Sequence, residues 1–76
     1  MRPRRILILG GTREAVELAN LLVAKGHDVT TSLAGVTREP LLPSGHVRRG
    51  GFGGAEGLRN FVREQGIGVL VDATHP

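Results

Sequence analysis

Apolar positions at the start of the chain change from a continuous run to a helical spacing. Residues 6–9 are all strongly apolar, as in a strand buried on both faces, and two glycines follow at once. The next apolar residues recur at i, i+3, i+4 and i+7, which predicts a helix with one apolar stripe over about residues 12–25. These residues are Ala15, Leu18, Ala19 and Leu22. Lys25 and Gly26 are suited to end the helix.

The rest of the chain alternates strand and helix patterns. Segments rich in β-branched or apolar residues predict further strands around residues 29–33, 46–49 and 67–73, whereas residues 34–45 are predicted to be irregular. A second helix that ends at Gly66 is marked by apolar residues at helical spacing, namely Ala55, Leu58, Phe61 and Val62. This alternation predicts an α/β domain with a parallel, Rossmann-like sheet of about four strands, right-handed crossovers and helices on its faces. In the strand order 3-2-1-4 the fourth strand lies beside the first.

The composition restricts the chain to one small domain without cysteine chemistry. The 76 residues include no cysteine, which excludes disulfides, thiolate metal sites and cysteine nucleophiles, and we expect no metal site. The formal net charge of +3 suits an anionic ligand.

The apolar runs are too short to span a bilayer, and residues 1–5 lead into only a short apolar strand rather than the core of a signal peptide. We therefore expect a cytoplasmic protein without a membrane as its partner.

The turn between the first strand and the first helix has the chemistry of a phosphate site. A helix start carries N–H groups without partners and a partial positive charge, and glycine allows the backbone to approach a pyrophosphate. The match to the fingerprint G-x-G-x-x-G/A is partial, because Gly10 and Ala15 take the outer positions and Thr12 takes the middle one, after Gly11. Thr12 is suited to cap the helix and to offer its hydroxyl to a phosphate oxygen. The alternative is a purely structural strand-to-helix turn.

The predicted strand order brings this turn beside the end of the fourth strand. Ligands of such sheets bind outside the carboxyl ends of the strands at the switch point, here between residues 10–12 and residues 74–76. His75 is therefore a candidate for binding or protonating a substrate, although a histidine before proline is often structural. Asp72 is a candidate acid, with hydrogen bonding to neighbouring backbone as the alternative.

The end of the second strand bears on the choice of cofactor. NAD-binding folds usually place an acid about 20 residues past the glycines, but Thr31 and Ser32 stand there and Asp28 lies at the wrong end of the strand. Ser32 and Arg38 suit a 2′-phosphate better than a free hydroxyl, which favours NADPH over NADH. The alternative for Arg38 is a solvated loop arginine.

The glycine-rich segment at residues 50–54 has three interpretations. It is a nest and helix start that approaches the adenosine half of a cofactor, or a flexible connection with Phe52 packed on the core. Residues 48–52 also resemble an RNA-binding RGG segment, but their position between a strand and a helix argues against disorder and against RNA.

Four segments together resemble the N-terminal part of the precorrin-6A reductase family of cobalamin biosynthesis. They are Ile8-Leu9-Gly10-Gly11-Thr12-Arg13-Glu14-Ala15, Ser32-Leu33-Ala34-Gly35, Gly50-Gly51-Phe52-Gly53-Gly54-Ala55-Glu56-Gly57-Leu58 and Val71-Asp72-Ala73-Thr74-His75-Pro76. The resemblance covers nearly the whole chain. It implies hydride transfer from NADPH to a carbon–carbon double bond of the precorrin-6A macrocycle, which yields precorrin-6B.

The resemblance also implies roles for individual residues, although it identifies no catalytic one. It places Gly10, Gly11 and Thr12 at the pyrophosphate, Ser32 near the 2′-phosphate, Gly51, Phe52, Gly53 and Gly54 at the cofactor's rim, and Thr74 and His75 facing the substrate. Many members of the family carry an arginine directly after the Ser-Leu-Ala-Gly segment, whereas this chain has Val36. Either Arg38 substitutes for that arginine or the protein accepts NADH.

The family enzyme has a second α/β domain and holds the tetrapyrrole between the two domains. We therefore expect residues 1–76 to be a partial N-terminal NAD(P)H-binding domain that is inactive alone, with the strand at residues 69–71 at an unprotected sheet edge. The alternative function is a non-catalytic nucleotide-binding Rossmann module. A sugar-modifying short-chain reductase would need a tyrosine–lysine pair, and the sequence contains no tyrosine.

Overall fold

The computed structural model describes residues 2–33 and 42–74. In chain order the elements are β1 (Arg5–Leu9), α1 (Arg13–Ala24), β2 (Asp28–Leu33), β3 (His46–Arg49), α2 (Gly54–Glu64) and β4 (Val69–Asp72). The predicted alternation of strands and helices is confirmed. The largest difference is that β4 is shorter than predicted, because the Ile67 N–H donates to the Val62 carbonyl and closes α2 before the strand begins.

The four strands form one parallel sheet in the order β3-β2-β1-β4, as predicted. The central strand β1 pairs with β2 on one side and with β4 on the other, so that Ile6 lies opposite both Val29 and Val69. This order places the carboxyl ends of β1, β2 and β4 side by side at one end of the sheet.

Helix α1 covers one face of the sheet, and the core cluster lies between the helix and this face. Ile6 and Ile8 of β1 point to this face, where they pack with Ala15 and Ala19 of α1 and with Val29 of β2. Leu7 is completely buried and points to the opposite face, because side chains alternate along a strand. The continuous apolar run of β1 is therefore explained by burial on both faces.

Helix α2 lies on the second face, where its Leu58 lines a crevice together with Leu9 and Ser32 of the sheet. The edge strand β4 leaves Leu70 46% exposed, which agrees with the predicted unprotected edge. Within the described parts of the chain, neither helix is long and apolar enough to cross a membrane.

Candidate functional site

A crevice of about 200 Å³ opens at the carboxyl ends of the strands, on the α2 face of the sheet. Its lining residues are Leu9, Gly10, Ser32, Gly50, Gly51, Phe52, Leu58 and Thr74. Five of the predicted site residues therefore meet in one place, although they come from four separate parts of the chain. They are Gly10, Ser32, Gly51, Phe52 and Thr74.

The two glycines after β1 have different roles. Gly10 donates its N–H to the Ser32 carbonyl at 2.8 Å, and a Cβ built on it would lie 2.7 Å from Thr31 Cγ2, so close packing requires glycine there. Gly11 has a φ of +123°, and a Cβ built on it would have no neighbour within 4 Å. Gly11 thus presents open backbone in a conformation that favours glycine, as a phosphate turn requires.

Thr12 caps α1 as predicted, but its hydroxyl proton is directed elsewhere than expected. The Oγ1 atom accepts a hydrogen bond from Ala15 N–H at 3.1 Å and donates one to the Ala73 carbonyl at 2.8 Å. Val16 N–H donates to the Thr12 carbonyl, so Arg13 and Glu14 have N–H groups without an intrahelical acceptor. The N–H groups at the start of α1 are therefore better placed for an anion than the hydroxyl, and the predicted phosphate contact of Thr12 stays a prediction.

Ser32 lies at the end of β2 where dinucleotide-binding folds hold the ribose. Its side chain is 5% exposed, and its Oγ accepts a hydrogen bond of 3.0 Å from Arg48 Nη1. Asp28 lies at the opposite end of the same strand, as predicted, and pairs with Arg5 at 3.2 Å and with His46 at 3.6 Å.

A second recess, of about 300 Å³, surrounds Asp28 at that opposite end of the sheet. It is larger than the crevice but contains none of the predicted site residues. We assign the site to the smaller crevice, because ligands of parallel α/β sheets bind at the carboxyl ends of the strands.

Arg48, near the end of β3, contacts four residues that line the crevice, and sequence analysis did not identify these contacts. Its guanidinium carbon lies 3.9 Å from the ring centroid of Phe52 and 5.2 Å from that of Phe61. Its Nη1 and Nη2 also donate to the carbonyls of Gly50 and Gly51 at 3.2 and 3.3 Å. The only signal in the sequence was a basic residue two positions before the Gly50-Gly51-Phe52 turn, because the register with Ser32 is known only from the structure.

The glycine-rich segment divides between the crevice and α2. Gly50, Gly51 and Phe52 line the crevice, and the Phe52 ring packs edge-on against Phe61 at 5.2 Å. Gly53 caps α2 with a φ of +89°, and neither it nor Gly54 lines the crevice. The predicted contribution of residues 53 and 54 to the cofactor's rim therefore stays a prediction, while their role in starting α2 is clear.

The end of β4 closes the crevice with Thr74. The N–H and hydroxyl of Thr74 both donate to Asp72 Oδ1, at 3.2 and 2.8 Å. Asp72 therefore bonds its chain neighbour, which is the alternative that the sequence analysis left open.

His75, Arg38 and Val36 lie outside the described residues. The described part of the chain holds no cluster of three or more His, Asp or Glu side chains arranged for a metal ion.

Comparisons with known proteins give a consistent family. The family model described as precorrin-6x reductase CbiJ/CobK matches residues 5–76. The precorrin-6A reductase of Rhodococcus erythropolis is 56% identical over 73 residues, which make up 95% of this chain and 29% of that protein. The precorrin-6A reductase of a Sinorhizobium species is 53% identical over 77 residues, which cover all of this chain and 30% of that protein.

A solved structure of CobK precorrin-6A reductase is also similar. It has a TM-score of 0.86 and 42% sequence identity, and the match covers 96% of this chain and 29% of that chain. The chain thus spans about 30% of the length of the curated relatives that it matches.

Proposed function

The chain belongs to the precorrin-6x reductase CbiJ/CobK family, and we propose that it forms the NADPH-binding part of a cytoplasmic precorrin-6A reductase. The reaction is the reduction of one double bond of the precorrin-6A macrocycle to give precorrin-6B during cobalamin biosynthesis. The observation that carries the proposal is the coincidence of an open glycine turn, a helix start and a crevice at the switch point of the sheet.

The residues at the helix start fit a pyrophosphate. Gly11 exposes its backbone, and the N–H groups of Arg13 and Glu14 have no intrahelical acceptor. The partial positive charge at the start of α1 favours an anion at this position. Ser32, Gly51 and Phe52 line the adjoining crevice and would hold the adenosine half, while Thr74 closes its other end toward the substrate.

When bound, NADPH supplies the hydride, and the chain's own residues bind and orient the cofactor. NADH remains the alternative cofactor. The proposed contacts of Arg38 with the 2′-phosphate and of His75 with the substrate rest on the sequence.

We further propose that the 76-residue chain does not turn over alone. Pockets that enclose a drug-sized ligand usually measure about 300–1,000 Å³, and the crevice measures about 200 Å³. The crevice alone is therefore smaller than a pocket of that kind. The relatives are more than three times longer than the match. We propose that the rest of the site lies in a second domain within that remaining length.

Two glycine variants test the cofactor site. Gly11 and Gly26 both have positive φ, and a Cβ on either would meet nothing within 4 Å. Alanine at a positive φ is strained, so Gly11→Ala and Gly26→Ala should both destabilise the chain. Gly26 follows α1 at the end away from the crevice, so only Gly11→Ala should interfere with the cofactor.

The measurement is an amide NMR titration of each variant with NADPH. We expect peaks near Gly11 and Ser32 of the unmodified chain to shift, with affinity about tenfold weaker in Gly11→Ala and nearly unchanged in Gly26→Ala. A folded chain that binds neither NADPH nor NADH would contradict the proposed cofactor site. Equal losses in both variants would mean that the turn does not contact the cofactor.

A further inference from the structure

Arg48 is held more firmly than an ordinary surface arginine. Its guanidinium stacks on Phe52, and the described residues engage it through the Ser32 hydroxyl and the carbonyls of Gly50 and Gly51. These contacts take up three of the five N–H groups of the guanidinium. The four residues that contact Arg48 all line the crevice, so Arg48 lies directly behind the crevice wall. They are Ser32, Gly50, Gly51 and Phe52.

The charge of Arg48 is not balanced by a carboxylate within the described part of the chain. The ion pair seen there joins Asp28 to Arg5, at the other end of the sheet, and every hydrogen-bond acceptor of Arg48 is neutral. An arginine remains charged at all physiological pH values. Among the described residues, therefore, the positive charge behind the crevice and next to Ser32 has no carboxylate partner.

The position of this charge indicates which part of a ligand it meets. The end of β2 is where dinucleotide-binding folds read the ribose, with an acid for a free 2′-hydroxyl or an arginine for a 2′-phosphate. Ser32 occupies that end, and Arg48 donates to its hydroxyl from the neighbouring strand. The guanidinium fork matches phosphate geometry. Its hydrogen bonds to an anionic phosphate are stronger than its hydrogen bonds to neutral carbonyls.

We propose that Arg48 is the residue that selects a 2′-phosphorylated dinucleotide, through a guanidinium held in place by Phe52 and Ser32. This inference rests on the proposed function and assigns the selectivity to β3, in addition to the loop that contains Arg38. The purely structural alternative is that Arg48 only braces the turn at Gly50 and Gly51, which would affect NADPH and NADH equally.

Arg49 provides a matched control. It is the next residue of β3, it is exposed, and Arg49→Met removes the same formal charge as Arg48→Met. The affinities of the 76-residue chain for NADPH and for NADH are measured by amide NMR titration, and their ratio is compared among the variants. We expect the unmodified chain to prefer NADPH and Arg48→Met to lower that preference roughly tenfold or more. Arg49→Met should leave the ratio nearly unchanged, and Arg48→Lys, which keeps the charge without the fork, should be intermediate.

A phosphorus NMR titration of bound NADP⁺ gives a second reading. A cation beside the 2′-phosphate favours its dianion, so the pKa of that phosphate should be lower on the unmodified chain than on Arg48→Met. If Arg48→Met fails to fold, Arg48→Lys decides the question by the same ratio and titration.

The outcomes separate this inference from the proposed function. Equal weakening of NADPH and NADH in the Arg48 variants, or an unmodified chain without any preference, would overturn the role of Arg48 and leave the cofactor site intact. An unmodified chain that binds neither dinucleotide would overturn both.

Discussion

The hydroxyl of Thr12 donates a hydrogen bond of 2.8 Å to the carbonyl of Ala73, which joins the start of α1 to the end of β4. The same oxygen accepts from the N–H of Ala15 at 3.1 Å. One side chain therefore caps the helix and connects the two segments on either side of the switch point. This connection holds the phosphate turn and the Thr74 end of the crevice at a fixed separation.

Removing the Thr12 hydroxyl should destabilise the chain and loosen the crevice. Thr12→Val keeps the shape but loses both hydrogen bonds, and loss of a helix cap alone costs about 0.5–2 kcal/mol. We expect a decrease of about 1–3 kcal/mol in the free energy of unfolding, measured by urea denaturation. Thr12→Ser, which retains the hydroxyl, is the control and should lose much less. A Thr12→Val chain as stable as the unmodified one would show that the two hydrogen bonds do not stabilise the fold.

Replacing Thr31 by valine should stabilise the chain. Thr31 is 1% exposed, and its Oγ1 has no hydrogen-bond partner among the described residues. An unsatisfied buried hydroxyl costs about 1–3 kcal/mol, and valine has nearly the same shape, so Thr31→Val should raise the free energy of unfolding by about 1 kcal/mol. Thr30→Val is the control, since Thr30 is only half-buried and should change little. A destabilised Thr31→Val would indicate that the hydroxyl has a partner in solution.

Changes at Asp28 should not affect cofactor binding. The side chain is 46% exposed and pairs with Arg5 at the end of the sheet away from the crevice. Exposed ion pairs contribute about 0.2–1 kcal/mol, so Asp28→Asn should lower the free energy of unfolding by no more than that. The affinity for NADPH, measured by calorimetry, should be unchanged, whereas Ser32→Ala at the other end of β2 should weaken it. Weaker NADPH binding in Asp28→Asn would move the site to the larger recess.

The fold was predictable because its signals are local. The apolar run of β1, the helical spacing of α1 and the glycines that end the helices each depend on residues near one another in sequence. The strand order then follows from the few topologies open to alternating strands and helices. Gly10 and Thr74 lie 64 positions apart in the chain but line the same crevice. Their proximity could be predicted from the strand order alone.

The contacts that the sequence did not predict depend on side-chain direction across the sheet. Arg48 reaches Ser32 on the neighbouring strand and stacks on Phe52, and neither contact has a periodic pattern. The hydroxyl of Thr12 was predicted to contact a phosphate, and it donates to the carbonyl of Ala73. The pairing of β4 with β1 brings this carbonyl within hydrogen-bonding distance. Composition and spacing carry no information on such choices between acceptors.

Gly57 of α2 lies against the turn that carries Phe52. A Cβ built on Gly57 would overlap the carbonyl oxygen of Phe52 and lie 2.6 Å from its carbonyl carbon. Both atoms belong to the backbone, so Gly57→Ala requires the helix and the turn to separate. Overpacking of this kind costs about 1–3 kcal/mol, and we expect a loss of that size in the free energy of unfolding.

The displacement caused by Gly57→Ala should also weaken NADPH binding, because Phe52 lines the crevice and supports the guanidinium of Arg48. Gly68→Ala is the matched control, since a Cβ on Gly68 would lie 3.8 Å from the carbonyl oxygen of Arg5, an ordinary contact distance. Urea denaturation and calorimetry on both variants make the comparison. If Gly57→Ala lowers stability but leaves NADPH affinity unchanged, the turn at Phe52 forms no part of the cofactor site. If it changes neither quantity, the close approach of α2 to the turn does not exist in solution.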